Sequence, residues 1–292
     1  MNTDFRALKK HIAEVVSSSR MWAGVFDENM EWLCDIELSE FEYQQQRNAM
    51  SSFKAKAVVS SYTGVPRPAV HHLVGENIGM VDSRGALVPV TAGARFLVVE
   101  RSDSARVAGR IGFTVASGEG NTPSVLEING ITLIGELELL PCPSNIKAWE
   151  KTHFTTFDRV WGSGNDAGIV LDKPRQLADI NTATVTDGFT EGEHGTAEET
   201  VRKILKDSFN CIYKLCGIPQ GSYPLAVSDK STGKKSPNAL IKPSDGTILT
   251  ELAETMSAAG ISLNPYLWFP SDTQPEGLHL TQPTIVFDVL QG

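Results

Sequence analysis

The first regular pattern along the chain is helical. Apolar residues between positions 4 and 16 recur at a spacing that places them on one side of a helix: Phe5, Leu8, Ile12 and Val15 or Val16. Thr3 or Asp4 can cap this helix, because a short oxygen-bearing side chain accepts hydrogen bonds from the first free backbone N–H groups. We expect the serine run at 17–19 to end it.

From position 21 the pattern changes to short segments typical of β-strands. Residues 22–26 and 32–38 flank a turn-like trio, Asp27, Glu28 and Asn29, and predict a hairpin. Residues 53–60 alternate apolar residues with lysine, which predicts a strand with one exposed face.

A second hairpin is predicted where residues 94–101 and 107–116 flank a polar turn. Residues 125–140 then predict a long strand with Leu133 and Leu137 on one face and Glu136 and Glu138 on the other. Gly130 and Gly135 would mark a bend or bulge in this strand, as small barrels need at their corners. Five or more strands within about 120 residues favour a barrel or a sandwich.

The last third of the chain has clearer helix start and stop signals than the middle. Residues 144–195 are the least periodic and rich in glycine, so we expect long loops there and a domain boundary near 145–160. Thr196 and Glu199 form a capping box that opens a helix ending at Gly217. A second helix is predicted from Thr247 to Gly260, and residues 283–290 predict a final strand.

These elements predict an α+β, β-rich protein. We expect an N-terminal helix over 1–20, a small β-barrel-like domain over 21–150, and an α+β domain with a closing strand over 151–292. A length of 292 residues is enough for two domains.

Composition narrows the class of partner. With 35 acidic and 26 basic residues the formal charge is −9, which disfavours a stable grip on the phosphates of nucleic acid. The charge fits either ordinary solubility or an acidic conduit through which DNA passes without sticking. No run of about 20 apolar residues predicts a transmembrane segment. No secretory signal is visible near the start, so we expect a protein made and folded without one, and an extracellular destination would need another route such as cell lysis.

The residues that could carry chemistry do not form a recognisable motif. The four cysteines lack metal-site spacing, so we expect buried reduced thiols: Cys34, Cys142, Cys211 and Cys216. His71 and His72 are adjacent and favour a surface or interface role over a metal site. A thiol site would need Cys142 or Cys34 beside a histidine such as His71, His153 or His194, and no local signature supports one.

Paired carboxylates are the remaining candidates for catalysis. Glu136 and Glu138 lie two residues apart, as do Glu191 and Glu193, and this spacing is typical of a solvated strand face or loop. The glycine-rich triplets are too short for a dinucleotide motif, and Gly-x-Ser-x-Gly is absent. We therefore predict no catalytic, cofactor-binding or metal-binding residue, no cofactor, and a protein that is not an enzyme.

Four groups of segments share a pattern with one known family. The first group is 25–33 with 39–43 and 47–49, and its last segment contains Arg47 and Asn48. The second is 94–100 with 106–115, and the third is 126–143, which ends in Pro141-Cys142-Pro143. The fourth is 250–289, which contains the turn Trp268-Phe269-Pro270-Ser271-Asp272. Together they resemble the actinobacterial-phage minor tail proteins described as Gp37-like, which are similar to baseplate hub proteins of long-tailed phages (siphoviruses). Phe269 and Ser271 replace the leucine and glycine usual in that turn.

The resemblance implies a structural component of the phage tail tip, which links the end of the tail tube to distal tip proteins. It implies a homotrimer built from small β-barrels and α+β modules. The implied partners are the distal tail protein, the tail tube protein and the tape measure protein, with DNA only in transit. The implied location is the virion, after assembly in the host cytoplasm. Another virion or assembly protein, a phage-associated cell-wall hydrolase or peptidase, and a cytosolic binding module remain alternatives.

Overall fold

The computed structural model describes residues 3–59, 67–75, 93–103, 105–118, 123–144, 146, 153–157, 160–161, 169–170, 175–179 and 193–292. The chain begins with helix α1, Phe5–Ser19, and Asp4 is its N-cap, because its carboxylate accepts from the backbone N–H groups of Arg6 and Ala7. The helix ends with the serine run, as predicted: Ser19 is its last residue, and Arg20 caps it in a left-handed conformation.

Seven antiparallel strands form the main sheet. In chain order they are β1 Met21–Phe26, β2 Trp32–Asp35, β3 Leu38–Tyr43, β4 Ser52–Val58, β5 Arg95–Arg101, β6 Arg106–Ser117 and β7 Val125–Thr132. Their order in the sheet is β2-β1-β5-β6-β7-β4-β3. The two predicted hairpins are confirmed, because β1 pairs with β2 and β5 pairs with β6.

The sheet is rolled up. Strands β2 and β3 stand at its opposite ends, yet only Ile36 and Glu37 separate them along the chain. Two residues span about 10 Å at most, so the ends of the sheet lie close together. No backbone ladder joins β2 to β3 in the part of the chain that the structure describes, and the barrel is therefore open along this seam.

A hydrophobic core fills the inside of the rolled sheet. Its members are small or β-branched residues with a few large ones, among them Ala55, Ala57, Val99, Leu126 and Ile128. A short helical stretch, Pro68–Val70 followed by His71–Gly75, packs against this core through Ala69, which is 1% exposed.

The predicted strand over 125–140 is only half correct. Strand β7 ends at Thr132, and Leu133–Glu138 form a 3₁₀ helix in which the residues from Leu133 to Leu137 are all buried. This helix contacts β6 of the main sheet and, from the C-terminal part of the chain, one helix and one strand. Burial on several sides explains why its side chains do not alternate between a wet and a dry face.

In the described part of the stretch where we expected long loops, short strands pair with one another. Strand β8 His153–Phe157 pairs with β11 Arg175–Asp179, and β9 Val160–Trp161 pairs with β10 Ile169–Val170. The predicted boundary near 145–160 and the three-part domain division stay predictions.

The C-terminal part combines two helices with two small sheets. Strand β12 Glu193–Thr196 pairs with β14 Asn238–Ile241, while β13 Leu225–Val227, β16 Thr284–Gln291 and β15 Ile261–Trp268 form a three-stranded sheet in that order. Helix α2, Ala197–Leu215, has Thr196 as its N-cap, and helix α3, Ile248–Ala259, has Thr247 as its N-cap and Gly260 as its C-cap. The N-cap at Thr196, whose hydroxyl accepts from the N–H of Glu199, the second helix and the final strand are thus confirmed.

One hydrophobic core joins this part to the outer face of β1 and β5. It contains Trp22, Phe26 and Phe96 from the sheet, Leu8 and Ile12 from α1, and residues of α2, α3, β15 and β16. The α+β, strand-rich class is therefore confirmed, with an open rolled sheet packed against an α+β layer.

Candidate interaction surfaces

Cys34 and Cys142, the two cysteines considered for a thiol site, are not activated for catalysis. Cys34, Cys142 and Cys211 are buried as expected, whereas Cys216 at the end of α2 is exposed, contrary to prediction. Burial raises the pKa of the Cys142 thiol to about 12, and its sulfur lies 3.7 Å from the hydroxyl of Ser208, which is not a base. Burial, and secondarily the charge of Asp35, also raises the pKa of Cys34 to about 12. Reactive thiols show the opposite shift.

The predicted histidine and carboxylate candidates do not converge. His71 and His72 share a helical turn with their rings 5.2 Å apart, and Glu191 and the side chains of His153, Glu193 and His194 lie outside the described residues. In the described ranges no group of three or more His, Cys, Asp or Glu residues is placed to hold a metal. No helix there is long and apolar enough to cross a membrane.

The sequence pattern predicted a solvated position for Glu136, and the structure shows that this prediction is wrong. Its side chain is 9% exposed, and both carboxylate oxygens accept from Arg110 on β6, from Nε and Nη2, at 2.7 Å each. The guanidinium also lies 5.4 Å from the ring centre of Phe96. A bidentate ion pair of this kind fixes the 3₁₀ helix against the sheet.

Arg106 connects the rolled sheet to the C-terminal layer. Its guanidinium donates to Glu100 on β5 at 2.8 Å, to Asp272 after β15, and to the carbonyl of Leu267 at 3.3 Å. It also stacks over the ring of Phe269, 4.3 Å from its centre. Asp272 accepts from the backbone N–H of Phe269 as well, so the turn after β15 is closed by the same carboxylate.

Asn48 makes a second connection, by acting as a substitute for a β-strand. Its side-chain amide donates to the carbonyl of Ile261 at 2.6 Å and accepts from the N–H of Leu263 at 2.8 Å. These are the backbone groups that a neighbouring strand of β15 would have used. Arg47 adds a bond to the carbonyl of Gly260. Asn48 has φ of 54°, a left-handed conformation that asparagine tolerates better than most residues.

On the opposite wall of the rolled sheet, no helix or strand of the described residues packs against the outer face. On this face each of four neighbouring strands presents side chains of one kind. They are acidic on β3 (Glu40 and Glu42), basic on β4 (Lys54 and Lys56), mixed on β7 (Glu127 and Asn129) and apolar on β6 (Phe113 and Val115). Phe113 is 61% exposed and Val115 47%. We call these eight residues the outer sheet face.

A cleft of about 570 Å³ lies between the rolled sheet and the C-terminal layer. Its walls are mostly apolar and include Phe96, Leu140, Ile218, Pro224, Leu225 and Ile285. Its polar lining comprises the Arg110–Glu136 pair, Tyr213 of α2, Asn29, Ser222 and Gln282, while Glu28 and Leu139 line it as well. Such a mixture, apolar walls with a few polar groups, is typical of binding sites.

Comparison with known proteins gives similarity at the level of structure only. No protein-family model matches the chain. No curated protein matches it in sequence. Among solved structures, it is similar to the tail protein from Neisseria meningitidis MC58, with 11% identity and a TM-score of 0.34, over 91% of this chain and 50% of that one.

Two further structures show the same level of similarity. One is the Francisella PdpA–VgrG complex, with 9% identity and a TM-score of 0.36, over 98% of this chain and 36% of that one. The other is the E. coli c3393 protein, a component of the type VI secretion system with structural similarity to T4 bacteriophage tail proteins gp27 and gp5. It has 8% identity and a TM-score of 0.30, over 93% of this chain and 45% of that one. The chain spans half or less of each of these proteins.

Proposed function

We propose that this chain is a structural subunit of a phage tail tip, a baseplate hub-like minor tail protein. In this role it links the end of the tail tube to distal tip proteins and is located in the virion. It forms a homotrimer, contacts the distal tail, tube and tape measure proteins, meets DNA only in transit, and is not an enzyme. The three similar structures above are described as tail, VgrG-complex and type VI secretion proteins.

The observation that carries the proposal is where the family-like segments lie. Arg47 and Asn48 bind the start of β15, and Asp272 binds Arg106. Among the described residues, those that carry the resemblance thus join two layers of the molecule and do not surround a reactive group. A protein whose shared residues serve rigidity is suited to transmit load within an assembly.

The outer sheet face supports the homotrimer. Exposed aromatic and β-branched residues beside a charged band are typical of surfaces that become buried on association. A head-to-tail contact that uses this face on one copy and another surface on the next closes into a ring when the rotation is 120°.

Mass photometry of the purified chain tests this assembly. Three copies of 31.7 kDa give a particle of about 95 kDa. We expect Phe113→Asp to shift this particle to the mass of one chain without changing the circular dichroism spectrum. Leu240→Asp is a matched control, because Leu240 is similarly exposed, at 54%, and lies outside the outer sheet face. A wild-type chain that stays at 31.7 kDa at every concentration contradicts the homotrimer.

The alternative of a cell-wall hydrolase or peptidase is tested separately. Release of soluble fragments from purified peptidoglycan, or cleavage of casein, by the wild-type chain would contradict the structural role. We expect neither activity above that of a buffer control.

A further inference from the structure

We propose that the cleft between the rolled sheet and the C-terminal layer binds an uncharged, apolar polypeptide segment of a partner protein. The first observation is Tyr213. Its residue is only 5% exposed and lines the cleft, while its hydroxyl makes no hydrogen bond within the described residues and is not one of the fully buried polar atoms, so it opens into the cleft. An occupant that shields this hydroxyl from water must supply a hydrogen-bond partner for it, because burying a hydroxyl without one costs free energy.

Arg110 is the second polar group that an occupant would meet. Its Nε and Nη2 are used by Glu136, but within the described ranges Nη1 makes no hydrogen bond, and the side chain is 32% exposed. Tyr213 and Arg110 therefore offer donors inside an apolar cleft. A backbone carbonyl of an extended segment accepts from groups of this kind.

The charges that line the cleft indicate that the occupant is uncharged. Arg110 is neutralised by Glu136 at 2.7 Å, and Glu28 is neutralised by Arg95 at 3.2 Å. The other lining residues carry no charge. A carboxylate or an ammonium group would enter this cleft without a counter-ion, and its desolvation would not be repaid.

Leu139 indicates a polypeptide and not a small molecule. It lines the cleft but is 57% exposed, so the apolar surface continues outward. Exposed apolar surface that is continuous with a cleft is a mark of contact with another protein. A segment of chain covers both the cleft and Leu139, whereas a small ligand fills only the cleft.

The test is selection of a random dodecapeptide library, displayed on phage, against the immobilised full chain. We expect enriched peptides that are apolar and poor in charged residues. Synthetic copies with blocked termini are then titrated by fluorescence anisotropy. This inference does not rest on the tail-tip role, since the experiment uses the isolated chain.

Three variants make the titration specific to the cleft. Tyr213→Phe removes only the hydroxyl and should weaken binding about threefold to tenfold, the loss of one hydrogen bond. Leu139→Asp should weaken it more than about tenfold, because a charge then stands beside apolar peptide side chains. Val115→Asp, on the outer sheet face, is the matched control and should bind as wild type does. Thermal unfolding midpoints confirm that each variant is folded.

Three results would overturn the proposal. These are the absence of enriched peptides, enrichment of acidic or basic peptides, and equal binding by wild type and Leu139→Asp. Binding that is lost in Val115→Asp would place the site on the outer sheet face and would also reject the cleft.

Discussion

The rolled sheet presents two outer walls that use charged residues in opposite ways. On the wall that faces the C-terminal layer, Arg106 and Arg110 are mostly buried, and each pairs with a carboxylate from outside its own hairpin, Asp272 and Glu136 respectively. On the outer sheet face, the ion pair of Lys56 with Glu40 spans two neighbouring strands and is largely exposed. Arginine or lysine pairs with a carboxylate on both walls, but these ion pairs hold the fold together on one wall and lie on an exposed surface on the other.

This difference has an energetic consequence. Removing one partner of a buried ion pair leaves an uncompensated charge in a poorly solvated place, whereas an exposed partner is resolvated by water. The stability of the molecule should thus be sensitive to substitution on the junction wall and insensitive on the outer sheet face. Association with other proteins should show the reverse sensitivity.

The largest expected effect is that of Arg106→Ala. This change removes the bonds to Glu100 and Asp272 and the contact with Phe269, and we expect a loss of about 3 kcal/mol in the free energy of unfolding, measured by urea titration. Arg101→Ala is the matched control on the same hairpin, because the pair of Arg101 with Asp103 is exposed. Its urea midpoint should equal that of wild type. Equal midpoints for Arg101→Ala and Arg106→Ala would refute the contrast between the walls.

Asn48→Ala should give the next largest effect. It leaves the carbonyl of Ile261 and the N–H of Leu263 without the groups that satisfy them, and we expect a loss of about 1–3 kcal/mol in the same titration. Asn238→Ala, in an exposed position of β14, is the control and should be near neutral. Hydrogen exchange gives an independent measurement. The amide of Leu263 should exchange faster in Asn48→Ala, and unchanged protection would show that Asn48 is not the partner.

The pH dependence of the junction follows from Asp272. Burial alone would raise the pKa of this carboxyl, but the hydrogen bonds and charge of Arg106 outweigh burial and hold the pKa below its ordinary value of 3.8. A carboxyl with a lowered folded-state pKa stabilises the fold fully above 3.8, and this contribution is lost as the pH falls through the folded-state value.

Asp272→Asn should therefore be less stable than wild type at pH 7, and the difference should shrink below about pH 3.8. Urea titrations at pH 7, 5, 4 and 3 measure the difference. A gap that stays constant over this range would mean that the charge of Asp272 does not contribute to the junction.

The smallest effect is expected for Lys56→Ala on the outer sheet face. Its ion pair with Glu40 is exposed, and pairs of this kind contribute little to folding. We expect a urea midpoint equal to that of wild type. A clear loss of stability would indicate that the ion pair on the outer sheet face stabilises the fold, and that this face is not free to bind partners.

Local signals in the sequence predicted the helices well. Asp4, Thr196 and Thr247 each cap a helix in the structure, and Gly260 ends one in a left-handed conformation, because caps depend on residues close in sequence. The hairpins were predictable for the same reason. The fold class followed from these elements together.

The connections across the junction could not be predicted in this way. The alternation of residues from 133 to 138 resembles a strand, but Arg110 lies 26 residues away from Glu136 along the chain and recruits it into a buried pair. Asn48 meets β15 across more than 200 residues. Arg47 and Asn48 were noticed only through the family resemblance, and no local pattern predicts that an amide will replace a strand. The cleft likewise forms between elements distant in sequence.

A cryo-EM reconstruction of the tail particle that contains this chain tests the central claim most directly. The structural role predicts three copies around a central channel below a stack of tube subunits, with Phe113 and Val115 buried against a neighbouring copy. The rolled sheet and the C-terminal layer should move as one body. A single copy with the outer sheet face in solvent, or a closed site where a cysteine or carboxylate meets a histidine, would contradict the account.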